Sequence, residues 1–129
     1  MSLHVTAIML GVRDLERAKR FYRDGLGCVV AQDHPGFVSL QLGADGPSLA
    51  LYPWDAAAGD AGVGAEGSGF RGSSLHCIVD SRAEVDQLLE QASGAGGRLV
   101  RPAEAAQWGG YLGYFSDLDG HLWKAATSS

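Results

Sequence analysis

The sequence lacks the features that direct a protein to a membrane, to nucleic acid or to an oxidising compartment. It has only two cysteines, Cys28 and Cys77, in apolar, strand-like segments, so we interpret them as small buried thiols rather than a disulfide. No apolar run approaches the roughly 18 residues that a membrane-spanning helix requires, and no secretory signal is visible at the N-terminus. The formal net charge is −5 without a basic patch, which argues against a nucleic-acid partner. We therefore expect a cytoplasmic protein.

The composition is that of one folded domain with many turns. Of the 129 residues, 46% are hydrophobic and 19% are charged, and this length suits a single domain spanning 1–129. The 19 glycines are about twice the usual share of roughly 7%. Most of them separate segments of regular hydrophobic spacing, which indicates turns and loops.

The first part of the chain predicts a strand, a helix and three further strands. The apolar segment 4–12 is typical of a buried strand, and Asp14 is placed to cap the helix that follows. Short strands are then predicted at 28–32, 37–42 and 48–52, with glycine- and proline-containing turns between them.

The second part of the chain repeats this order. A linker rich in alanine and glycine, 55–71, contains a short helical piece at 55–59 and precedes a predicted strand at 74–79. Ser81 and Glu84 form a capping box at the start of a periodic helix. Three further strands complete the repeat, at 98–100, 108–116 and 121–126. A loop at 102–107 follows the first of them. The other two form a hairpin whose turn places Gly120 at a left-handed position.

The two modules, 3–54 and 72–127, thus share the order βαβββ, which is an internal repeat of one supersecondary unit. We predict an α+β protein in which each module forms a curved mixed sheet with its helix on the outer face. A sheet with a helix on one face leaves its other face for a ligand or another subunit.

Four segments carry a resemblance to a known family: GVRDLERAKRFYRDGLG, LALYPWD, SRAEVD and WGGYLGYFSDLDGHLWK. In this order the sequence resembles the vicinal oxygen chelate superfamily, which includes glyoxalases, bleomycin-resistance proteins and extradiol dioxygenases. The resemblance implies a glyoxalase-like fold with a cup in each module, a homodimer, and in many members a divalent metal held by His and Glu residues.

The resemblance also assigns the metal ligands to particular positions, and here those positions hold other residues. The ligands of the first, fourth, fifth and eighth strands correspond to Ala7, Ala50, Ser74 and Lys124. Alanine offers no donor atom, and a lysine ammonium repels a cation. We therefore expect no divalent metal cofactor, with His76 as the one shifted ligand available.

Several residues are candidates for a ligand site. His76 shares its face with Ser74 by the alternation of a strand, and is a candidate catalytic acid or base as well as a hydrogen-bonding residue. Lys124 would either contact an anionic ligand or form a structural ion pair. We also expect four aromatic residues and one methionine to line the site: Trp54, Trp108, Tyr111, Tyr114 and Met9.

Three functions are compatible with these residues. The first is a metal-independent small-molecule binding protein of the glyoxalase and bleomycin-resistance type, whose ligand is aromatic and, on net charge, neutral or cationic. The alternative is a lyase, isomerase or dioxygenase that uses His76 as acid or base, with or without a metal. The third is a structural or partner-binding role.

Overall fold

A computed structural model describes residues 5–67, 69–107 and 109–129. Within these ranges the chain divides into two compact units, Met1–Gly67 and Ser68–Ser129, and each unit holds one four-stranded mixed sheet with helices. The predicted α+β class and the repeated βαβββ order are confirmed. The division falls inside the segment predicted as a linker, 55–71. None of the helices in the described part has the length and apolar character that crossing a membrane requires.

The first unit contains the elements β1 (Ala7–Val12), α1 (Leu15–Arg20) with a π-helical turn (Phe21–Gly25), β2 (Val30–His34), β3 (Phe37–Gln41), β4 (Ser48–Pro53) and α2 (Trp54–Ala61). Its strand order is β1-β4-β3-β2, with β1 and β4 parallel and the other pairs antiparallel.

The second unit contains the elements β5 (Leu75–Ile78), α3 (Arg82–Gly94), β6 (Arg98–Ala105), β7 (Tyr111–Ser116) and β8 (Leu122–Thr127). The order β5-β8-β7-β6, again with the first pair parallel, repeats that of the first sheet.

Both main helices begin where the sequence predicts. The Asp14 carboxylate accepts a hydrogen bond from the backbone N–H of Arg17 at 3.1 Å. The Ser81 hydroxyl accepts one from the backbone N–H of Glu84 at 3.2 Å. The Glu84 carboxylate in turn accepts from the backbone N–H of Asp80 at 3.0 Å. These bonds satisfy N–H groups that the first turn of a helix leaves without partners.

Alternation along the strands separates each sheet into two faces. In the first sheet, the fully buried side chains Leu49 and Leu51 lie beside Leu40 and Val38 in register. These strands contact α1, and Phe21 and Tyr22 of the following π-helical turn are also buried. The other positions of these strands therefore point to the opposite surface, the α1-distal face, which includes Ala7, Met9, Ala50, Tyr52, Phe37 and Ser39.

Two contacts identify the face of the second sheet that packs against α3. A Cβ added to Gly113 would lie 2.7 Å from Leu89 Cδ1, and the Tyr111 hydroxyl donates a hydrogen bond to the Asp86 carboxylate at 2.7 Å. Leu89 and Asp86 both belong to α3. The alternate residues of these strands lie on the α3-distal face: His76, Ile78, Leu112, Tyr114, Ser116, Leu122, Lys124 and Ala126.

A buried lysine joins α1 to β2, which the sequence analysis did not anticipate. The Lys19 ammonium is 8% exposed and lies 2.7 Å from a Glu16 carboxylate oxygen and 3.0 Å from one of Asp33. These hydrogen bonds raise the pKa of Lys19. Lys19 shows how this protein accommodates a lysine that is withdrawn from water: two carboxylates surround it.

Several predicted strand boundaries are shifted, and two of the shifts have a visible local reason. The loop predicted at 102–107 is mostly strand, because β6 is an edge strand and an edge tolerates Pro102. Irregularities in its pairing with β7 at Leu99, Arg101 and Glu104 accommodate the proline. The strand β2 begins two residues later than predicted, since the N–H of Cys28 closes the π-helical turn onto the carbonyl of Tyr22 at 2.9 Å.

We expect Gly113→Ala to destabilise the second unit. The added methyl group would meet Leu89 and also the backbone carbonyl oxygen of Arg101 at 3.0 Å and the Ala103 Cα at 3.1 Å. Relief requires α3 or β6 to move, and overpacking of this kind costs about 1–3 kcal/mol. Urea unfolding followed by circular dichroism measures the change.

Gly94→Ala is the matched control. Gly94 lies in the last turn of α3, and a Cβ there would meet nothing within 4 Å. Its replacement should leave the free energy of unfolding unchanged or raise it by up to about 1 kcal/mol. Equal stabilities for the two variants would contradict the close packing of α3 on β7.

The Tyr111–Asp86 bond predicts a stability that depends on pH in the alkaline range. The hydrogen bond to Asp86 raises the pKa of Tyr111 above its ordinary value. Since the folded state favours the protonated phenol, the contribution is complete below the unfolded-state pKa of about 10 and is lost as pH rises through the folded-state pKa. We expect wild type to be more stable than Tyr111→Phe at neutral pH, with the difference shrinking above pH of about 10.

Unfolding curves of both proteins across this pH range provide the measurement. Tyr114→Phe serves as the control, because the Tyr114 hydroxyl forms no hydrogen bond within the described residues. If the Tyr111→Phe difference stays constant to high pH, then the bond to Asp86 does not stabilise the fold.

Candidate functional site

Three predicted site residues lie side by side on the α3-distal face. His76 on β5 pairs in register with Lys124 on β8, and Lys124 pairs with Tyr114 on β7. Neighbouring strands are about 4.8 Å apart, so the three side chains form a continuous row across the sheet, here called the His76–Lys124–Tyr114 row. The sequence suggests the shared face, and the parallel pairing of β5 with β8 makes His76 and Lys124 direct neighbours.

Ser74, just before β5, lies next to the His76 end of this row. Its hydroxyl and the Nε2 of His76 are 3.0 Å apart, and His76 itself is exposed. A serine beside an imidazole has part of the geometry of an activated nucleophile. That mechanism also requires a group that orients the imidazole through its other nitrogen, and no described residue bonds to the Nδ1 of His76. The pair is therefore better suited to hydrogen bonding and proton exchange than to nucleophilic attack.

Lys124 differs from other cationic residues of the protein. Its side chain is half-buried, yet no carboxylate of the described residues forms an ion pair with it. The sequence analysis left open a structural ion pair or a ligand contact, and the structure provides no partner for the first. Within the described chain the Lys124 ammonium therefore has no anionic partner and is available to one from outside.

Arg101 ends the row on β6, in register with Tyr114. Its guanidinium donates two hydrogen bonds to one carboxylate oxygen of Glu104, at 2.9 and 2.6 Å. This arginine is thus neutralised locally, and the sequence analysis did not identify it because the extent of β6 was wrong. The uncompensated positive charge of the row belongs to Lys124.

The α1-distal face of the first sheet has a different character. Met9 lies there and is 43% exposed. This is the predicted face, because Met9 is two residues from Ala7 on the same strand. Three aromatic rings share the face: His34 stacks on Phe37 at 6.3 Å, and Phe37 meets Tyr52 edge-on at 5.2 Å. The sequence analysis missed this aromatic group, although the alternation from Ala50 to Tyr52 contains the signal for its third member.

Trp54 is engaged by its own unit rather than left free for a ligand. Its indole N–H donates a hydrogen bond to the carbonyl of Ala65 at 2.9 Å, and the guanidinium of Arg13 lies over the ring at 4.2 Å. Gly11 provides space beside the ring, since a Cβ there would lie 3.4 Å from Trp54 Cε3. Trp108, the other predicted tryptophan of the site, lies outside the described residues.

Tyr111 lies on the face opposite to the row. Its hydroxyl is bonded to Asp86, and the guanidinium of Arg82 lies 5.1 Å from its ring centre. Tyr111 and Tyr114 are three residues apart on one strand, so they point to opposite sides of the sheet. We therefore exclude Tyr111 from the candidate site and retain Tyr114.

The cysteines do not extend the site. Cys77 alternates with His76 and so faces the other side of β5, as the sequence predicts. Both cysteines are free and half-buried, and burial raises the pKa of each thiol. A raised pKa disfavours the thiolate that a nucleophile or metal ligand requires.

The positions that the resemblance assigns to metal ligands do not fit a divalent metal. Ala7 and Ala50 lie on the α1-distal face without donor atoms, while Lys124 brings a cation to the α3-distal face. Protein sites for divalent metals use His, Cys, Asp or Glu. In the described ranges, no three side chains of these types lie close enough to share an ion.

Comparison with known proteins places this chain in a family. The model of the Glyoxalase/Bleomycin resistance protein/Dioxygenase superfamily matches residues 3–125. No protein with a curated description matches the sequence significantly.

Solved structures agree with this match. A glyoxalase-related enzyme from Fulvimarina pelagi is 36% identical, with a TM-score of 0.85 over 96% of this chain and 87% of that one. A glyoxalase/bleomycin resistance protein/dioxygenase from Nocardioides is 25% identical, with a TM-score of 0.75 over 98% of this chain and 84% of that one. A lactoylglutathione lyase from Agrobacterium tumefaciens, 19% identical over 96% of this chain and 92% of that one, has a TM-score of 0.69 and shows likeness of fold alone. The chain therefore belongs to the glyoxalase/bleomycin resistance protein/dioxygenase superfamily.

Proposed function

We propose that this protein binds a small organic molecule without a metal ion. The observation that carries the proposal is the His76–Lys124–Tyr114 row on the α3-distal face. It brings an imidazole, an ammonium and a phenol together where the resemblance implies a metal-ligand set. A ligand site needs a few convergent polar groups among apolar ones, and this row has Leu112, Leu122 and Ala126 on the same face.

Electrostatics supports metal independence. Two unit charges 4 Å apart interact by about 4 kcal/mol at an effective dielectric constant of 20. A divalent cation beside the Lys124 ammonium would experience repulsion of that order or more, and no carboxylate of the described residues compensates Lys124. Organic groups avoid this penalty, since they can accept hydrogen bonds from the row.

The contact between Ser74 and His76 favours one alternative function. An exposed imidazole within 3.0 Å of a hydroxyl is a group that can serve as a general acid or base toward a ligand. In that case the protein would be a lyase, isomerase or dioxygenase in which His76 acts as acid or base. The expected homodimer and cytoplasmic location stay predictions from the sequence.

We expect the purified protein to bind two-ring aromatic compounds in the presence of a chelator. Three matched probes carry different charges on one ring system: 2-naphthoate, 2-naphthylmethanol and 2-naphthylmethylamine. Saturable binding of at least one probe with EDTA present, measured by isothermal titration calorimetry and thermal shift, supports the proposal. For ligands of this size a Kd near 1 mM or below is reasonable, given about 0.3 kcal/mol per non-hydrogen atom.

The same titrations with added Zn²⁺, Ni²⁺, Mn²⁺ or Fe²⁺ provide the opposing test. Metal independence predicts an unchanged Kd and an unchanged melting temperature. Binding that requires one of these metals, or no binding by any of the three probes, would contradict the proposed function.

His76→Ala separates binding from the enzymatic alternative. Loss of the imidazole should weaken binding by less than about tenfold, the worth of one hydrogen bond at most. If a substrate is found, and the variant loses turnover while its Kd is retained, then the enzymatic alternative replaces the simple binding protein.

A further inference from the structure

We infer that the His76–Lys124–Tyr114 row is a carboxylate-binding site and that the ligand is an apolar, planar organic acid. This inference rests on the proposed function and names the ligand class for the same row. It also differs from what the net charge of −5 favours, which is a neutral or cationic ligand.

The first step is a comparison of two lysines in one chain. Lys19 is withdrawn from water and has two carboxylates at 2.7 and 3.0 Å. Lys124 is half-buried, and none of the described residues gives it a carboxylate. Because an ammonium forms its strongest hydrogen bonds with an anion, the missing partner of Lys124 is best supplied by a ligand.

The second step concerns the neighbours of Lys124. Tyr114 and His76 flank it in register, and each can donate a hydrogen bond to an oxygen held at the ammonium. A carboxylate has two oxygens and several acceptor positions, so it can accept from Lys124 and from one or both neighbours at the same time. The ammonium carries one positive charge between two hydrogen-bond donors. This arrangement matches the single negative charge and the two oxygens of a carboxylate.

The third step concerns the charges near the row, which come from few residues. In the described strands of the second sheet the acidic residue is Glu104, which is in register with Leu112 and holds the guanidinium of Arg101 through two hydrogen bonds. The pair is neutral as a whole, so it does not cancel the charge of Lys124. No carboxylate on the described strands of this sheet therefore compensates Lys124, although the whole protein is acidic.

The fourth step defines the body of the ligand. The next row on the same face is apolar: Ile78, Ala126 and Leu112 lie in register across three strands. Ala126 and Leu112 are buried within the chain, so Ile78 provides the apolar surface that a ligand can reach. Ile78 is 68% exposed, an unusual cost for so large an apolar side chain. Adjacent rows on one face of a sheet are about 7 Å apart. A two-ring acid whose carboxylate lies at Lys124 is long enough to place its rings on the row that contains Ile78.

Calorimetry with the three naphthyl probes, in the presence of EDTA, tests the inference. We expect wild type to bind 2-naphthoate at least tenfold more tightly than 2-naphthylmethanol or 2-naphthylmethylamine. Lys124→Gln should remove this preference by weakening 2-naphthoate about tenfold or more while changing the alcohol little. Tyr114→Phe should weaken 2-naphthoate by a smaller factor.

Arg20→Gln is the control for charge. Arg20 is an exposed cation on α1, so its removal changes the net charge as Lys124→Gln does but leaves the row intact. We expect its affinity for 2-naphthoate to equal that of wild type. An equal loss in both variants would show a nonspecific charge effect and overturn the inference.

The outcomes separate the two proposals. Similar affinities for acid and alcohol, unaffected by Lys124→Gln, would overturn the acid site and leave the metal-independent binding protein in place. No binding of any probe would overturn both. If Lys124→Gln does not fold, chemical-shift changes in wild type decide: shifts at His76, Tyr114 and Ile78 on adding 2-naphthoate support the site, and shifts elsewhere contradict it.

Discussion

The close packing at Gly113 fixes which face of the second sheet lies against α3, and the candidate site depends on that choice. A Cβ at position 113 would lie 2.7 Å from Leu89 Cδ1 and 3.0 Å from the backbone oxygen of Arg101, so glycine suits the close approach of α3 and β6 to β7. This approach turns Gly113, Tyr111 and Phe115 toward the helix. Strict alternation then leaves Tyr114 on the other side, and strand pairing aligns Lys124 and His76 with it. A slip of one residue would bury the lysine under α3.

Several positive charges of this protein are balanced by groups in direct contact with them. Lys19, Arg23 and Arg101 each have a carboxylate within hydrogen-bonding distance, and Arg13 and Arg82 lie over aromatic rings. The net charge of the chain therefore says little about the field at one place on its surface. Lys124, half-buried among Tyr114 and apolar residues, determines the character of the α3-distal face, which is why we propose an anionic ligand for an acidic protein.

Much of this arrangement could be predicted from sequence, because capping and alternation are local. Asp14 and Ser81 mark helix starts through their own side chains, and the shared face of Ser74 and His76 follows from a period of two. The placement of Lys124 on that face was implied by the family resemblance. Parity also separates Tyr111 from Tyr114, a consequence that the sequence analysis overlooked. Long-range facts could not be predicted: the bond from Lys19 to Asp33, the register of β5 on β8, and the tolerance of Pro102 at an edge whose position depends on the sheet order.

The two sheets show how one backbone plan can carry different chemistry. The α1-distal face of the first sheet presents Met9 and the rings of His34, Phe37 and Tyr52, whereas the α3-distal face of the second presents an ammonium between two hydrogen-bonding groups. Since function resides in side chains placed on a fold rather than in the fold itself, family membership leaves the chemistry open. An ammonium can hold an oxygen anion by charge and hydrogen bonds. Unlike a divalent metal ion, it has a single charge and no vacant coordination position. In the proposed site Lys124 would therefore retain an acid without strongly activating it, and this favours binding over catalysis.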